Sequence, residues 1–386
     1  VGVLGGAMAL GIAPMIAVGV LAPLLIDDLG ISRGAIGVLV AVVSGVSAVL
    51  SPGIGRAIDR VGDKSALLAV LALGTLGIGA MAAAWSYASM ACALAIAGVC
   101  RAGCNPATNR VIRLRLAPGR RGWVTGVKQS GEAVAIVLSA SLVPGIATLA
   151  GWRVAVLVLA GLAALALAGG ARYVEGSVRG DADRPAELGP LRSSIHWVNA
   201  YCVLMGAAGG AVTAYLPLYA HDKGGLTVTG AGLVIVVAGV VGGVFRILWS
   251  RWSEERFGFP RSLSALAAIA ALSGLVLLLA PSVGESGFWV GAALWGASGI
   301  AFGSVAMMAV MSEADDWNTG RASGLTVLWF GVGFTATPPL LGWVIDSGQG
   351  YATGFAVITV LYAAAAATIM VGRATFRGVL AGGQAG

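Results

Sequence analysis

Apolar residues follow one another for about 20 positions at a time along this chain, and short polar or Gly/Pro-rich breaks separate the runs. A bilayer core is crossed by about 20 apolar residues in a helix. The pattern predicts spans over 3–26, 34–55, 65–84, 88–112, 123–146 and 152–172, then 196–220, 229–250, 262–281, 286–311, 321–345 and 351–372. The expected class is an all-α membrane protein with twelve transmembrane helices in two groups of six. One long polar stretch parts the groups and holds Gly176, Gly180, Asp181, Asp183, Arg184, Pro185 and Pro190. The expected organisation is an N-terminal bundle over 1–172, a cytoplasmic linker over 173–195, a C-terminal bundle over 196–372 and a cytoplasmic tail over 373–386. The first run, Val3 to Ile26, is too long for a signal-peptide core and lacks an obvious cleavage site, so it reads as a retained membrane helix.

Composition agrees with lipid as the solvent. Charged residues are 11% of the 386 and hydrophobic ones 58%, whereas a soluble domain carries about 25% charge. So few charges could not cover a water-facing surface. This argues against a soluble enzyme, a nucleic-acid-binding protein, a disordered chain and a secreted disulfide scaffold. The 60 glycines suit close helix packing in a membrane. Cys92, Cys100, Cys104 and Cys202 lie in apolar runs without CxxC spacing and read as small buried side chains. No P-loop, HExxH or hydrolase elbow is found, so no ATP-driven step, enzyme activity, cofactor or metal is expected.

The net charge of +7 is explained by location. Basic residues cluster between Arg56 and Lys64, Arg110 and Arg121, Arg172 and Arg192, and Arg246 and Arg261, with Arg321, Arg373 and Arg377 on the same side. The other side has only Arg33, Arg153 and Lys223. Basic loops stay inside, so the linker and both termini are expected in the cytoplasm, in a multi-pass cell-membrane protein.

The two groups of helices resemble each other. Pro23 leads through a loop and a helix to Asp59-Arg60-Val61-Gly62, and Pro217 leads likewise to Glu255-Arg256-Phe257-Gly258. Ala35-Ile36-Gly37-Val38 and Ala231-Gly232-Leu233-Val234 occupy matching places. Two six-helix halves in parallel repeat, with Gly55-x-x-x-Asp59-Arg60-Val61-Gly62-Asp63-Lys64 between the second and third spans, resemble the major facilitator superfamily. Asp63 departs from the basic residue usual there. Arg101 resembles the family's membrane-embedded arginine, with an altered pattern at Gly103 and Pro106. The fifth span, with Pro144-Gly145, only loosely resembles the exporters' antiporter motif. Gly151-Trp152-Arg153 and Gly342-Trp343-x-x-Asp346 are also family-like helix boundaries. The resemblance covers essentially the whole chain. It implies the major facilitator fold, alternating access and a monomer. It also implies a cytoplasmic gate in which Asp59 meets the positive N-terminus of the eleventh helix near Gly320-Arg321-Ala322-Ser323. Gly55, Asp59, Arg60 and Arg321 are the gating candidates. Glycine at 55 would let the second helix approach a neighbour closely. The basic residues read equally well as orientation signals alone.

Charge inside a bilayer is costly and marks function by default. Arg101, Asn105 and Asn109 recur at four-residue spacing and form one polar stripe on the fourth span. Lys128 and Glu132 on the fifth span share a face and are expected to pair. Arg101 and Lys128 against Glu132 leave one net positive charge, which suits a carboxylate or similar anionic group on a solute. Glu132, the only acid deep in the membrane, is the candidate for proton coupling. The alternative is a structural Arg101–Glu132–Lys128 network tying two helices together. In the second half Arg246, Tyr201, Trp295 and Trp329 are candidate solute contacts, against the plainer readings of snorkelling, packing or an interfacial belt. Tyr215 and Ser298 belong to the same possible wall, and His196 and His221 sit at predicted helix ends.

The expected function is a secondary active transporter of a small organic anion, coupled to protons as a symporter or else to a counter-solute. Its partners are the solute, the coupling species and the lipid bilayer, with no nucleic acid. A second reading is a drug or metabolite exporter working as a proton antiporter. A third is a non-transporting receptor on the same fold.

Overall fold

The computed structural model describes residues 2–116, 118–174, 176, 190–314 and 319–376. Side chains are described for these except at 52, 56, 59, 60, 113, 118–123, 125–126, 319–321 and 348–349. Among the described residues regular structure is entirely helical, and twelve helices are long and apolar enough to cross a membrane. They are α1 (Gly2–Val20), α2 (Arg33–Val61), α3 (Asp63–Ala82), α4 (Tyr87–Arg115), α5 (Pro118–Ala150) and α6 (Trp152–Tyr173). Next come α7 (Ser193–Asp222), α8 (Val228–Trp252), α9 (Phe259–Val283), α10 (Glu285–Glu313), α11 (Thr319–Val344) and α12 (Gly350–Gly372).

The ends of these helices depart from the hydropathy pattern for physical reasons. The first span breaks at Leu21, and Ala22–Leu29 forms a separate short helix with Pro23 in its first turn. Proline lacks an N–H and is at home where that donor would be unpaired anyway. α2 runs to Val61 and α4 to Arg115, beyond the expected ends. Arginine is a good helix former, so the helix continues where the apolar run stops. α10 contains a π-helical stretch, Gly296–Ile300.

Single residues join several consecutive helices. Gly62 stands between α2 and α3 with φ 98°, and Gly258 precedes α9 with φ 72°. These backbone angles are open to glycine and strained for other residues. The glycine of each acid-Arg-x-Gly motif is therefore the joint itself. Serines start other helices. The Ser32 Oγ accepts from the Ala35 N–H at 3.2 Å, and Ser86 and Ser89 form a reciprocal cap on α4.

The contacts divide the chain into two compact units. One holds α1–α6 with Ala214–His221 and Leu226–Val236; the other holds the rest of α7 and α8 with α9–α12. In the first, α4 packs on α2 and α3, α1 on α5, and α3 on α6. In the second, α9 packs on α10 and α12. In each unit the first and fifth helices meet backbone to backbone. A Cβ on Gly131 of α5 would sit 2.7 Å from the Gly5 carbonyl carbon of α1 and nearer still to its oxygen. A Cβ on Gly333 of α11 would meet the Val203 carbonyl of α7 and lie 2.8 Å from the Ala207 nitrogen. Helices gain no hydrophobic drive against each other in lipid, so such close approach supplies the attraction. The approach expected at Gly55 is not among these seams: no described atom lies within 4 Å of where its Cβ would be.

Candidate functional site

The polar stripe of α4 and one face of α5 meet in the first unit. Lys128 is 1% exposed. Its Nζ donates to Thr108 Oγ1 at 2.9 Å, to Asn109 Oδ1 at 2.5 Å and to Asn105 Oδ1 at 3.2 Å. An ammonium has three protons, and here three neutral oxygens receive them. Thr108 can serve as acceptor because its hydroxyl donates to the Cys104 carbonyl at 2.6 Å. Glu132 lies one turn along α5, half-buried, and its charge acts on the Lys128 ammonium. Neutral dipoles satisfy the hydrogen-bonding capacity of a cation but leave its charge in place.

Arg101 lies one turn before Asn105. Its Nη1 donates to the Gly11 carbonyl of α1 at 3.0 Å, and the Cys104 thiol donates to the Ala7 carbonyl at 3.0 Å. Both tie α4 to α1. Of the expected site residues, the structure thus brings Asn105, Asn109 and Lys128 into one cluster, with Glu132 a turn from the lysine and Arg101 a turn before Asn105, bonded to α1.

The candidates of the second unit are dispersed. Tyr201 is buried, donates to the Leu263 carbonyl at 3.1 Å and sets its ring edge-on to Phe302. Trp295 is buried and donates to the Tyr362 hydroxyl at 3.0 Å. The polar tips of Tyr201 and Trp295 are therefore engaged within the protein. Arg246 Nη2 donates at 3.3 Å to the carbonyl of Ile300, and Trp249 Nε1 donates at 3.0 Å to that of Ala297. Both acceptors belong to the π stretch of α10, where irregular hydrogen bonding turns carbonyls toward neighbours. Trp329 is 43% exposed and, with His196, Asn199, Ala200, Val203 and Leu204, lines a cavity of about 450 Å³. Among the gating candidates, the side chains of Asp59, Arg60 and Arg321 lie outside the described residues.

Two features escape a reading of the sequence. Thr108 completes the lysine cage, and its position three residues after Asn105 and one before Asn109 was the available signal. Asp63, the departure from the resembled motif, is fully buried. Its carboxylate accepts from the Lys64 N–H at 2.8 Å and pairs with the Arg115 guanidinium at the end of α4; Arg115 in turn donates to the Gly176 carbonyl. This ion pair ties the start of α3 to the end of α4. At the start of α6, Trp152 Nε1 donates to Asp28 of the short helix Ala22–Leu29 at 3.2 Å and Arg153 pairs with the same carboxylate at 2.9 Å, which gives the Trp-Arg boundary a structural purpose.

The sequence profile of the Major Facilitator Superfamily matches residues 3–316. The chain belongs to this family. Two uncharacterized MFS-type transporters of Mycobacterium tuberculosis, from strains CDC 1551 / Oshkosh and H37Rv, are each 25% identical over 323 residues, covering 81% of this chain and 71% of theirs. Among solved structures, a bacterial homologue of the human lysosomal transporter Spinster, inward-facing and occupied, superposes with a TM-score of 0.79 at 15% identity, covering 97% of this chain and 96% of that one. The nucleoside transporter NupG gives 0.77 at 11% identity, covering 96% and 98%. These structures share the fold of the superfamily. As a major facilitator protein this chain is a multi-pass membrane transporter and not an enzyme; a transported solute and a bilayer are its partners.

Proposed function

We propose that this transporter moves a small organic anion, such as a carboxylate, across the cytoplasmic membrane by alternating access, with Glu132 coupling the movement to protons. The observation that carries this reading is the buried Lys128 ammonium held by Asn105, Thr108 and Asn109 alone among its hydrogen-bond acceptors. Its charge is balanced by the nearby Glu132 carboxylate when that group is ionised, and it becomes available to a solute carboxylate when Glu132 takes up a proton. Binding of anion and proton then favour each other, which is the requirement for symport. Arg101, Arg246 and Trp329 are retained as further solute-facing candidates, Tyr201 and Trp295, buried with their polar tips engaged, only for their rings, and Gly55, Asp59, Arg60 and Arg321 as the gate.

The test is flux into proteoliposomes loaded at one pH and diluted into another, with a panel of radiolabelled small carboxylates, amines and neutral solutes. Carboxylate uptake driven by an inward proton gradient, lost in Glu132→Gln while carboxylate exchange persists, supports the reading. Uptake of amines or neutral lipophiles with no carboxylate flux overturns it in favour of export of uncharged or cationic compounds.

A further inference from the structure

Lysine has only donors to offer, so every group that faces its ammonium must turn an acceptor toward it. This settles the orientation of both amides on α4. The Oδ1 atoms of Asn105 and Asn109 point at Lys128, so the Nδ2 amino groups point away from it. Thr108 adds an acceptor as well, since its own proton lies on the Cys104 carbonyl. Asn105 and Asn109 are both exposed, and among the described residues neither amide nitrogen has another hydrogen-bond partner. An exposed amide on a membrane-spanning helix is costly against lipid, so these two groups belong on a water-filled path. They are four residues apart, about 6 Å along the helix axis. Two N–H···O bonds of about 2.9 Å laid end to end cover that distance, so one oxygen-bearing group can engage both amides.

We propose that Lys128 is a positioning residue that locks the Asn105 and Asn109 amides with their N–H groups outward, so that the site selects a carboxylate over the primary amide and the amine of the same skeleton. This rests on the transport-site reading above and specifies how that site reads its solute. Recognition comes from two oriented N–H donors, and the lysine acts through them. A primary amide presents one acceptor and one donor and leaves an N–H facing an N–H. An amine presents donors only. A site built for one pattern of donors and acceptors rejects the other because polar groups that the bound solute shields from water are left unpaired.

The experiment uses the purified full chain and matched probes: benzoate, benzamide and benzylamine, and hexanoate, hexanamide and hexylamine. Affinity is read from the dependence of melting temperature on probe concentration. In the wild type the two carboxylates should bind, and the amides and amines should bind at least about tenfold more weakly, the loss of one hydrogen bond to a charged group. Asn109→Asp keeps an oxygen on Lys128 and replaces the outward N–H group by a second oxygen. Carboxylate binding should fall about tenfold or more, and amine binding should appear. Lys128→Met frees both amides to turn, so benzamide and hexanamide should gain affinity as the carboxylates lose it. Attraction by the lysine charge alone predicts no gain for the neutral amides. Absence of that gain, or carboxylate binding unchanged in Asn109→Asp, overturns the proposal and leaves the site reading standing. No binding of either carboxylate to the wild type overturns both. If Lys128→Met does not fold, the Asn109→Asp comparison decides.

Discussion

Replacing Thr108 by valine tests the lysine cage at the one member that is buried. Valine keeps the branched shape and removes the hydroxyl. One of three bonds to the Lys128 ammonium, the 2.9 Å contact, is deleted, and the side chain that loses it is 1% exposed. A hydrogen bond to a charged group contributes about 1.5–3 kcal/mol, and a buried N–H left without a partner incurs its desolvation penalty in full. Taking about 2 kcal/mol, and about 2–4 °C per kcal/mol for a unit of 150–250 residues, the melting temperature should fall by about 4–8 °C. The assay is thermal unfolding of the purified protein in detergent at one fixed scan rate, since unfolding of such proteins is often irreversible. Thr108→Ser is the control, because it keeps the oxygen and gives up only a methyl group. A Thr108→Val protein melting within about 1 °C of the wild type would refute the view that this bond holds the lysine. A Thr108→Ser protein falling as far as Thr108→Val would assign the effect to methyl packing instead.

Gly131→Ala and Gly333→Ala should each destabilise the protein by about 1–3 kcal/mol or more, because the new methyl meets backbone that cannot move aside; Gly55→Ala, with open space around it, should melt like the wild type. Asp63→Ala and Arg115→Ala should be non-additive, with a coupling of about 1–3 kcal/mol in a double-mutant cycle, and additive losses would remove their ion pair as a stabilising contact. Glu132→Gln should abolish the dependence of uptake on an inward proton gradient while counterflow exchange of the same solute survives; an unchanged pH profile would exclude Glu132 as the coupling acid. Tyr362→Phe removes the acceptor of the buried Trp295 N–H and should cost about 1–3 kcal/mol in stability, measured by the same melts.

The twelve spans are legible in the sequence because crossing a bilayer imposes a minimum length of apolar residues that few other structures need. Their ends are less so. Hydropathy registers where lipid stops, whereas α2 and α4 carry on through arginines that are good helix formers. The π stretch of α10 leaves no trace in composition, since Gly-Ala-Ser-Gly-Ile is compatible with an ordinary α-turn. The polar stripe and Lys128 stand out because charge is rare at that depth. Thr108 does not, since a threonine fits any apolar run and becomes a lysine ligand only once its proton is taken by the turn before it. Four-residue spacing pointed Lys128 at Glu132 on its own helix; the hydrogen bonds of Lys128 run across to α4, which no spacing within α5 could reveal. Tyr201 and Trp295 show the same gap from the other side. Their residue types suit a solute wall, and only three-dimensional packing shows that their polar tips are taken up by Leu263 and Tyr362.

The repeat separates what is mechanical in this molecule from what is chemical. Both units use glycine at the seam between their first and fifth helices, α1 with α5 and α7 with α11, and both turn on a positive-φ glycine after an acid-Arg pair. These shared features answer to backbone geometry. The positions facing them are not alike. The fourth helix of the first unit places two asparagines and a threonine around a lysine, while the fourth helix of the second, α10, places a tryptophan against a tyrosine and opens its carbonyls to Arg246 and Trp249. A side-chain cation caged in neutral oxygens is a recognition device only if something in solution completes it, whereas a ring bonded to a ring is complete already. The seams therefore serve folding in both halves. On the proposed reading solute identity is read in the first, where Lys128 sets which way two amides point.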